Sequence, residues 1–162
     1  CTTTNAMRYK IINLECKTNA KFVINTDCRL KAVNRETSLV NMSCDVVGVV
    51  GNISVHIQVW QKNSKNIYRP FLINITENAC DILDKRKSHI YTTIALNILK
   101  EFSNINHTSP YRGHVFIKNA YMDQRLIPVS PPTGLYKIVI RCFNTYSLEE
   151  YGTVNFFIEV KD

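Results

Sequence analysis

The nine residues Asn52-Ile-Ser-Val-His-Ile-Gln-Val-Trp60 decide the fold class. Ile53, Val55, Ile57 and Val59 fall on one side of an extended chain, and Ser54, His56, Gln58 and Trp60 on the other. A period of two sustained over such a stretch marks a strand with one buried face. Similar runs recur at Met7–Leu14, Cys28–Val33, Leu39–Val47, Ile67–Ile75, Gly113–Lys118, Gly134–Phe143 and Tyr151–Val160. Turn formers separate them: Gly48 and Gly51, Asn63-Ser-Lys-Asn66, and Ser130-Pro-Pro-Thr-Gly134. About eight strands at this spacing predict an all-β chain built as an antiparallel sandwich or barrel.

One stretch departs from that rhythm. Between Asp84 and Phe102, Ile90, Ile94, Ile98 and Phe102 recur every four residues, with Tyr91, Ala95 and Leu99 alongside. This spacing predicts one amphipathic helix near residues 88–103, inserted among the strands. Lys85, Arg86 and Lys87 would sit unfavourably at its positive end, so it is expected to begin after them. A lone helix among strands must lie against a sheet or close the mouth of a cup.

The chain's 162 residues suit a single domain spanning 1–162. With 45% hydrophobic and 20% charged residues, and five each of Gly and Pro, disordered, collagen-like and linker classes are excluded. No apolar run approaches the roughly 20 residues of a spanning helix, so the protein is not expected to be integral to a membrane. The net charge is +7, from 20 Lys and Arg against 13 Asp and Glu. These cations run from Arg8 to Lys161, densest at Lys85-Arg86-Lys87, without a nucleic-acid fold signature. They suit either a soluble basic surface or attraction to anionic extracellular partners such as acidic glycans or lipid headgroups.

Six cysteines, Cys1, Cys16, Cys28, Cys44, Cys80 and Cys142, are scattered without a C-x-x-C pair or zinc-ligand spacing, so no metal site is expected. They suggest disulfides in an oxidising compartment. Four sequons, at Asn41, Asn52, Asn74 and Asn106, point the same way, although 17 asparagines would produce some by chance. The expectation is a secreted, extracellular glycoprotein, numbered from its mature end after removal of a signal peptide.

Catalytic motifs are missing: there is no G-x-S-x-G elbow, no H-E-x-x-H and no glycine-rich phosphate loop. His107 and His114 flank Ser109-Pro-Tyr111 in a turn-rich stretch, where histidines are usually solvated. The chain is therefore expected not to be an enzyme, and to need no cofactor. Its aliphatic content could serve a cavity between sheets or simply a solid core, and composition alone does not separate the two.

Three ordered stretches carry a resemblance. Cys28-Arg-Leu-Lys-Ala-Val-Asn-Arg35, Tyr68-Arg-Pro-Phe-Leu-Ile-Asn-Ile-Thr76 with Ala79-Cys80, and Phe102-Ser-Asn-Ile-Asn-His-Thr-Ser-Pro-Tyr111 resemble a large insect family of small secreted proteins. That family is catalogued as a domain of unknown function, includes the chemosensory CheB proteins, and is related to the ML lipid-recognition domain and the ganglioside activator. Leu126-Ile-Pro-Val129 and Pro131-Pro-Thr-Gly-Leu-Tyr136 extend the match, which runs from about Tyr9 to Val160. The resemblance implies an immunoglobulin-like or ML-like β-sandwich or β-cup that binds a lipid or other apolar small molecule in chemosensory or innate-recognition roles. Candidate cavity residues are Val55, Ile57, Val59, Phe71, Ile73, Ile94, Ile98, Phe102, Ile138, Ile140, Phe156 and Ile158. The alternative is a solid-core interaction module that meets an extracellular receptor or anionic surface through its basic exterior.

The resemblance also implies a Cys16–Cys28 disulfide. The family pattern usually reads Cys-Pro-Tyr where this chain has Ser109-Pro-Tyr111, so the usual partner of Cys80 is missing. Cys1, Cys44, Cys80 and Cys142 then admit three pairings. Cys44–Cys142 with Cys1–Cys80 is the favoured one, because Cys44 and Cys142 both fall on predicted strands.

Overall fold

The computed structural model describes residues 7–79, 90–105, 111–123 and 130–162. All eight expected runs become strands: β1 (Arg8–Thr18), β2 (Val23–Ala32), β3 (Ser38–Val50), β4 (Ile53–Lys62), β5 (Tyr68–Asn78), β6 (Tyr111–Ala120), β7 (Gly134–Asn144) and β8 (Glu150–Lys161). A helix, α1 (Ile90–Phe102), stands between β5 and β6. The strands form two antiparallel sheets, one in the order β1-β8-β7-β4-β5 and the other β2-β3-β6. The chain is an all-β sandwich with one short helix, as its patterning predicts.

Alternation along each strand builds the core. Tyr9, Ile11, Val59, Tyr136, Ile158 and Val160 of the larger sheet meet Val40 and Ala120 of the smaller one. Val40, at 1% exposure, is the most deeply covered apolar side chain among the described residues. The outward half of the alternation is equally regular in register. Trp60 pairs with Lys137, and Lys137 with Phe157, across β4, β7 and β8. Leu72, at φ 52° and 84% exposed, marks a bulge in edge strand β5 opposite Gln58–Trp60. A bulge bends an edge strand and makes it a poor template for pairing with another chain.

The two sides of the sandwich are closed differently. β1 and β2 are consecutive yet belong to different sheets, and the Cys16–Cys28 disulfide joins them with Cα atoms 6.4 Å apart. On the other side the chain leaves β5, forms α1 and returns as β6. There the Thr92 hydroxyl donates to a Glu77 carboxylate oxygen at 3.1 Å. Ser103 makes a bridge to Ile117, and the Asn104 side chain donates to the His114 carbonyl and accepts from the Phe116 N–H. The helix thus spans the gap between the edges β5 and β6.

Helix burial is centred differently from the row of isoleucines. Thr92 and Leu96 are each 2% exposed, whereas Ile94, Ile98 and Phe102 are half-buried. Only Asn97, Lys100 and Glu101 face solvent among residues 92–102. The covered arc is wide enough for both rows. The one nearest the sheet edges passes through a threonine, whose hydroxyl has a carboxylate to bond.

The expected Cys44–Cys142 bridge does not form. Cys44 lies on β3, opposite Val115 of β6; Cys142 lies on β7, between Val55 of β4 and Gly152 of β8, and both are free thiols. β3 and β7 are interior strands of different sheets, so strand location alone does not bring the sulfurs together. Burial pushes the Cys142 thiol up to about 11, with the Glu150 carboxylate adding to the effect, and burial raises Cys44 as well. Both thiols are therefore protonated at neutral pH and poor nucleophiles. N-ethylmaleimide at pH 7.5 should label them slowly in the native protein and fully after denaturation without reductant, while Cys16 and Cys28 stay unlabelled. Peptide mass spectrometry checks this, and a Cys44–Cys142 cross-linked peptide would contradict it. The expected Cys1–Cys80 pair lies outside the described residues.

Candidate functional site

A cavity of 340 Å³ opens at the end of the sandwich where β1 begins. Three segments remote in sequence frame it: Arg8, Tyr9 and Ile11 of β1, Glu36 and Thr37 between β2 and β3 with Ser38 at the start of β3, and Tyr121–Asp123 after β6. It therefore lies between the sheets, with β1 from one and the ends of β3 and β6 from the other. The β2–β3 turn is shaped by Asn34, whose side-chain oxygen accepts from the Glu36 and Thr37 N–H groups at 2.8 and 2.9 Å. That Asx turn carries Glu36 to the rim, where it pairs with Arg8. Arg8 also donates to the Asp162 carbonyl at 2.9 Å.

The floor and the rim differ in chemistry. Tyr9, Ile11 and Met122 belong to or pack against the core cluster. Ser38 and Asp123 are 4% and 6% exposed, and the Tyr121 hydroxyl lies 3.5 Å from an Asp123 carboxylate oxygen. Tyr121 stacks edge-on against Phe102 with ring centres 5.3 Å apart, which ties this wall to the end of α1. Burial raises the Tyr9 hydroxyl above its ordinary range and nearby Tyr136 adds to it, so the phenol stays protonated at neutral pH. The arrangement offers an apolar floor with a protonated phenol, a carboxylate and a guanidinium above it. Apolar and polar groups are thus offered side by side at one opening.

A second pocket of 240 Å³ adjoins it, sharing Arg8 and Glu36 and adding Lys10, Arg35, Glu159 and Lys161. Its lining is almost wholly charged.

The twelve residues expected to line a cavity lie on β4, β5, α1, β7 and β8. Val59 and Ile158 are members of the core, and Phe71, Ile73, Phe102, Ile138 and Phe156 pack against it. Ile57 is buried, while Val55, Ile94, Ile98 and Ile140 are half-buried. None of the twelve borders either of these two pockets. The framing residues escape a reading of the sequence because they meet only at the ends of separate strands. The one local signal is Asp123, a carboxylate placed directly after the apolar run ending in Met122.

The remaining expected positions can be placed. Asn52 is exposed at the β3–β4 turn, and Asn74 is exposed on β5, 2.6 Å from the His56 ring nitrogen. Asn41 is half-buried on β3, and its side-chain oxygen accepts from the Asn119 N–H at 3.0 Å. His114 is exposed and bonds Asp45 at 2.8 Å. The Asp45 carboxyl is held below its ordinary range by Asn25 first and His114 second. Asn106, His107, Ser109 and the Lys85-Arg86-Lys87 cluster lie outside the described residues.

A protein-family model described as "Protein of unknown function (DUF1091)" matches residues 55–138. The chain belongs to that family. The match begins in β4, runs through β5, α1 and β6, and ends in β7. Within the DUF1091 match lie Tyr121, Met122 and Asp123, one wall of the larger pocket; the Arg8 and Glu36–Ser38 walls fall outside it. No curated protein matches the chain. No described helix is long and apolar enough to cross a membrane.

Proposed function

We propose that this DUF1091 protein is a secreted glycoprotein that binds a lipid-like or other apolar small molecule, entering between its sheets at the Tyr9–Ile11–Met122 floor. The observation that carries this reading is the position of the 340 Å³ opening. It sits at the junction of the two sheets, and its floor is continuous with the core. Its size falls within the roughly 300–1,000 Å³ typical of small-molecule sites. Removing an apolar group from water there supplies roughly 25 cal/mol per Å². Arg8 at the rim, with the buried Ser38 and Asp123 beside the floor, suits a ligand with one polar end.

Secretion is supported by the Cys16–Cys28 disulfide and by the exposed sequons Asn52 and Asn74. The kinship with ML lipid-recognition domains and a chemosensory or innate-recognition role in an insect extend the same reading. They rest on the resemblance of the three motifs.

Native mass spectrometry of protein taken from a eukaryotic secretory pathway tests the reading, followed by organic extraction of the bound fraction. A stoichiometric adduct is expected for the wild type. Met122→Trp, which fills the half-buried floor, should abolish it while leaving the melting temperature within a few degrees. An adduct that survives Met122→Trp unchanged, or wild-type protein that is free of adduct, would rule this site out.

A further inference from the structure

The outer face of the five-stranded sheet carries a second surface, which meets the 340 Å³ pocket at Arg8. The alternation that sends Tyr9, Val59, Tyr136 and Ile158 inward sends their neighbours outward. At the end of the sheet where β1 and β7 begin, these are Arg8 and Lys10, Lys161, Lys137 and Lys62. The register places them across four adjacent strands, β1, β8, β7 and β4. Glu159 is the carboxylate among them, and it pairs with Lys161 at 3.1 Å. Arg8 pairs with Glu36 at the rim. Lys62, Lys137 and Lys10, the last directly opposite Glu159 in the register, make no ion pair among the described residues.

Aromatic rings are interleaved with these cations. The Lys137 ammonium lies 5.4 Å from the Tyr68 ring centre and 6.0 Å from that of Trp60, and Lys62 lies 5.6 Å from Tyr68. Tyr68 meets Phe157 edge-on at 6.2 Å. Trp60, Tyr68 and Phe157 are all half-buried, so part of each ring faces solvent. The rings steady the lysine stems and leave their charges outward.

The opposite end of the molecule is built otherwise. There Lys21 pairs with Glu149, Arg141 with Glu150 and His114 with Asp45. Val49, Tyr146 and Leu148, each more than half exposed, crowd the same end. Leu72, 84% exposed on edge strand β5 opposite Gln58–Trp60, and Ile67, 49% exposed just before Tyr68, are the large apolar side chains exposed beside the cations. A bilayer-docking surface would set a cluster of apolar tips among its cations, whereas these two stand at the β5 edge of the face. Around Lys137 the face presents rings and cations together, which fits a hydrophilic polyanion.

We infer that the outer face around Lys10, Trp60, Lys62, Tyr68 and Lys137 binds a linear sulfated polysaccharide. The sulfates meet the unpaired ammonium groups, and the sugar rings lie against Trp60 and Tyr68. Four strand spacings, at about 4.8 Å each, give the chain a track of about 19 Å from β1 to β5. The choice of a glycan over other polyanions rests on the secreted setting proposed above. The binding face itself is independent of the pocket.

Trp60 is the chain's one tryptophan, so intrinsic fluorescence reports on this face directly. Titration with heparin as the probe should shift or quench that emission, with affinity falling steeply as NaCl is raised. The combined change Lys10→Gln, Lys62→Gln and Lys137→Gln should weaken heparin binding by about tenfold or more. Trp60→Ala, followed by heparin-column elution, should lower the salt needed for elution. Lys21→Gln with Arg141→Gln at the other end should leave both readouts unchanged. Thermal melts of each variant separate loss of binding from loss of fold.

Equal weakening by the two sets of charge changes would overturn the inference. So would equal affinity for polyglutamate of matched charge, insensitive to Trp60→Ala. Tighter binding to phosphatidylserine vesicles or to duplex DNA than to heparin would assign the face to another partner. None of these results bears on whether an adduct occupies the pocket.

Discussion

Replacing Tyr136 by alanine is expected to destabilise the protein by about 3–5 kcal/mol, the range for deleting a buried aromatic ring. Tyr136 is 4% exposed on β7 and belongs to the core cluster. Its ring meets Phe71 of β5 edge-on at 5.4 Å, so the cavity would open beneath two strands at once. Its hydroxyl donates to the Pro132 carbonyl at 2.6 Å and accepts from the Gln61 side chain at 3.2 Å. These bonds fix the entry into β7 and the end of β4. Tyr136→Phe isolates that polar part and should cost about 1–3 kcal/mol, because it leaves two groups unpartnered. Urea unfolding monitored by circular dichroism checks both values. A loss below about 1 kcal/mol for Tyr136→Ala would mean that the site collapses around the missing ring, contrary to the packing described.

Removing the Cys16–Cys28 bridge should cost about 3 kcal/mol for a short loop of this kind. The separation is 12 residues and the bridge joins the two sheets. Most of that loss comes from freeing the unfolded chain. The double change Cys16→Ser and Cys28→Ser should therefore keep the native circular dichroism spectrum while lowering the melting temperature by about 6–12 °C, at 2–4 °C per kcal/mol. Loss of the native spectrum at 25 °C would show instead that the bridge is needed to assemble the sandwich. An unchanged melting temperature would show that sheet packing alone holds this edge.

Much of the fold is legible along single stretches. Period-two alternation locates every strand, since each has one face on the core and one outward. The four-residue spacing locates α1 to within two residues of its expected limits. Legibility fades where the outcome depends on partners distant in sequence. Nothing local says that β1 crosses from β2 to pair with β8, and so nothing local says that Cys44 and Cys142 end on separate sheets. The roll of α1 is set by Glu77, which offers a bond to Thr92, and this favours a polar residue at a position that apolar counting passes over. The pocket is least visible. Arg8, Ser38 and Asp123 become neighbours only once three strand ends are brought together, and none carries a motif. Trp60 is an intermediate case: its phase, opposite to the aliphatics of β4, places it on the outer face, but only the register reveals Lys137 beside it.

The unequal closure of the sandwich gives it a mechanical asymmetry. The disulfide edge acts as a sewn spine: β1 and β2 cannot part without breaking a covalent bond. The fore-edge is held by α1 through a hydroxyl–carboxylate bond, a bridge at Ser103 and packing around Leu96. Any breathing of the sheets must pivot about the spine and widen toward the helix, so amide hydrogens of α1 and β6 should exchange ahead of those of β1, β7 and β8.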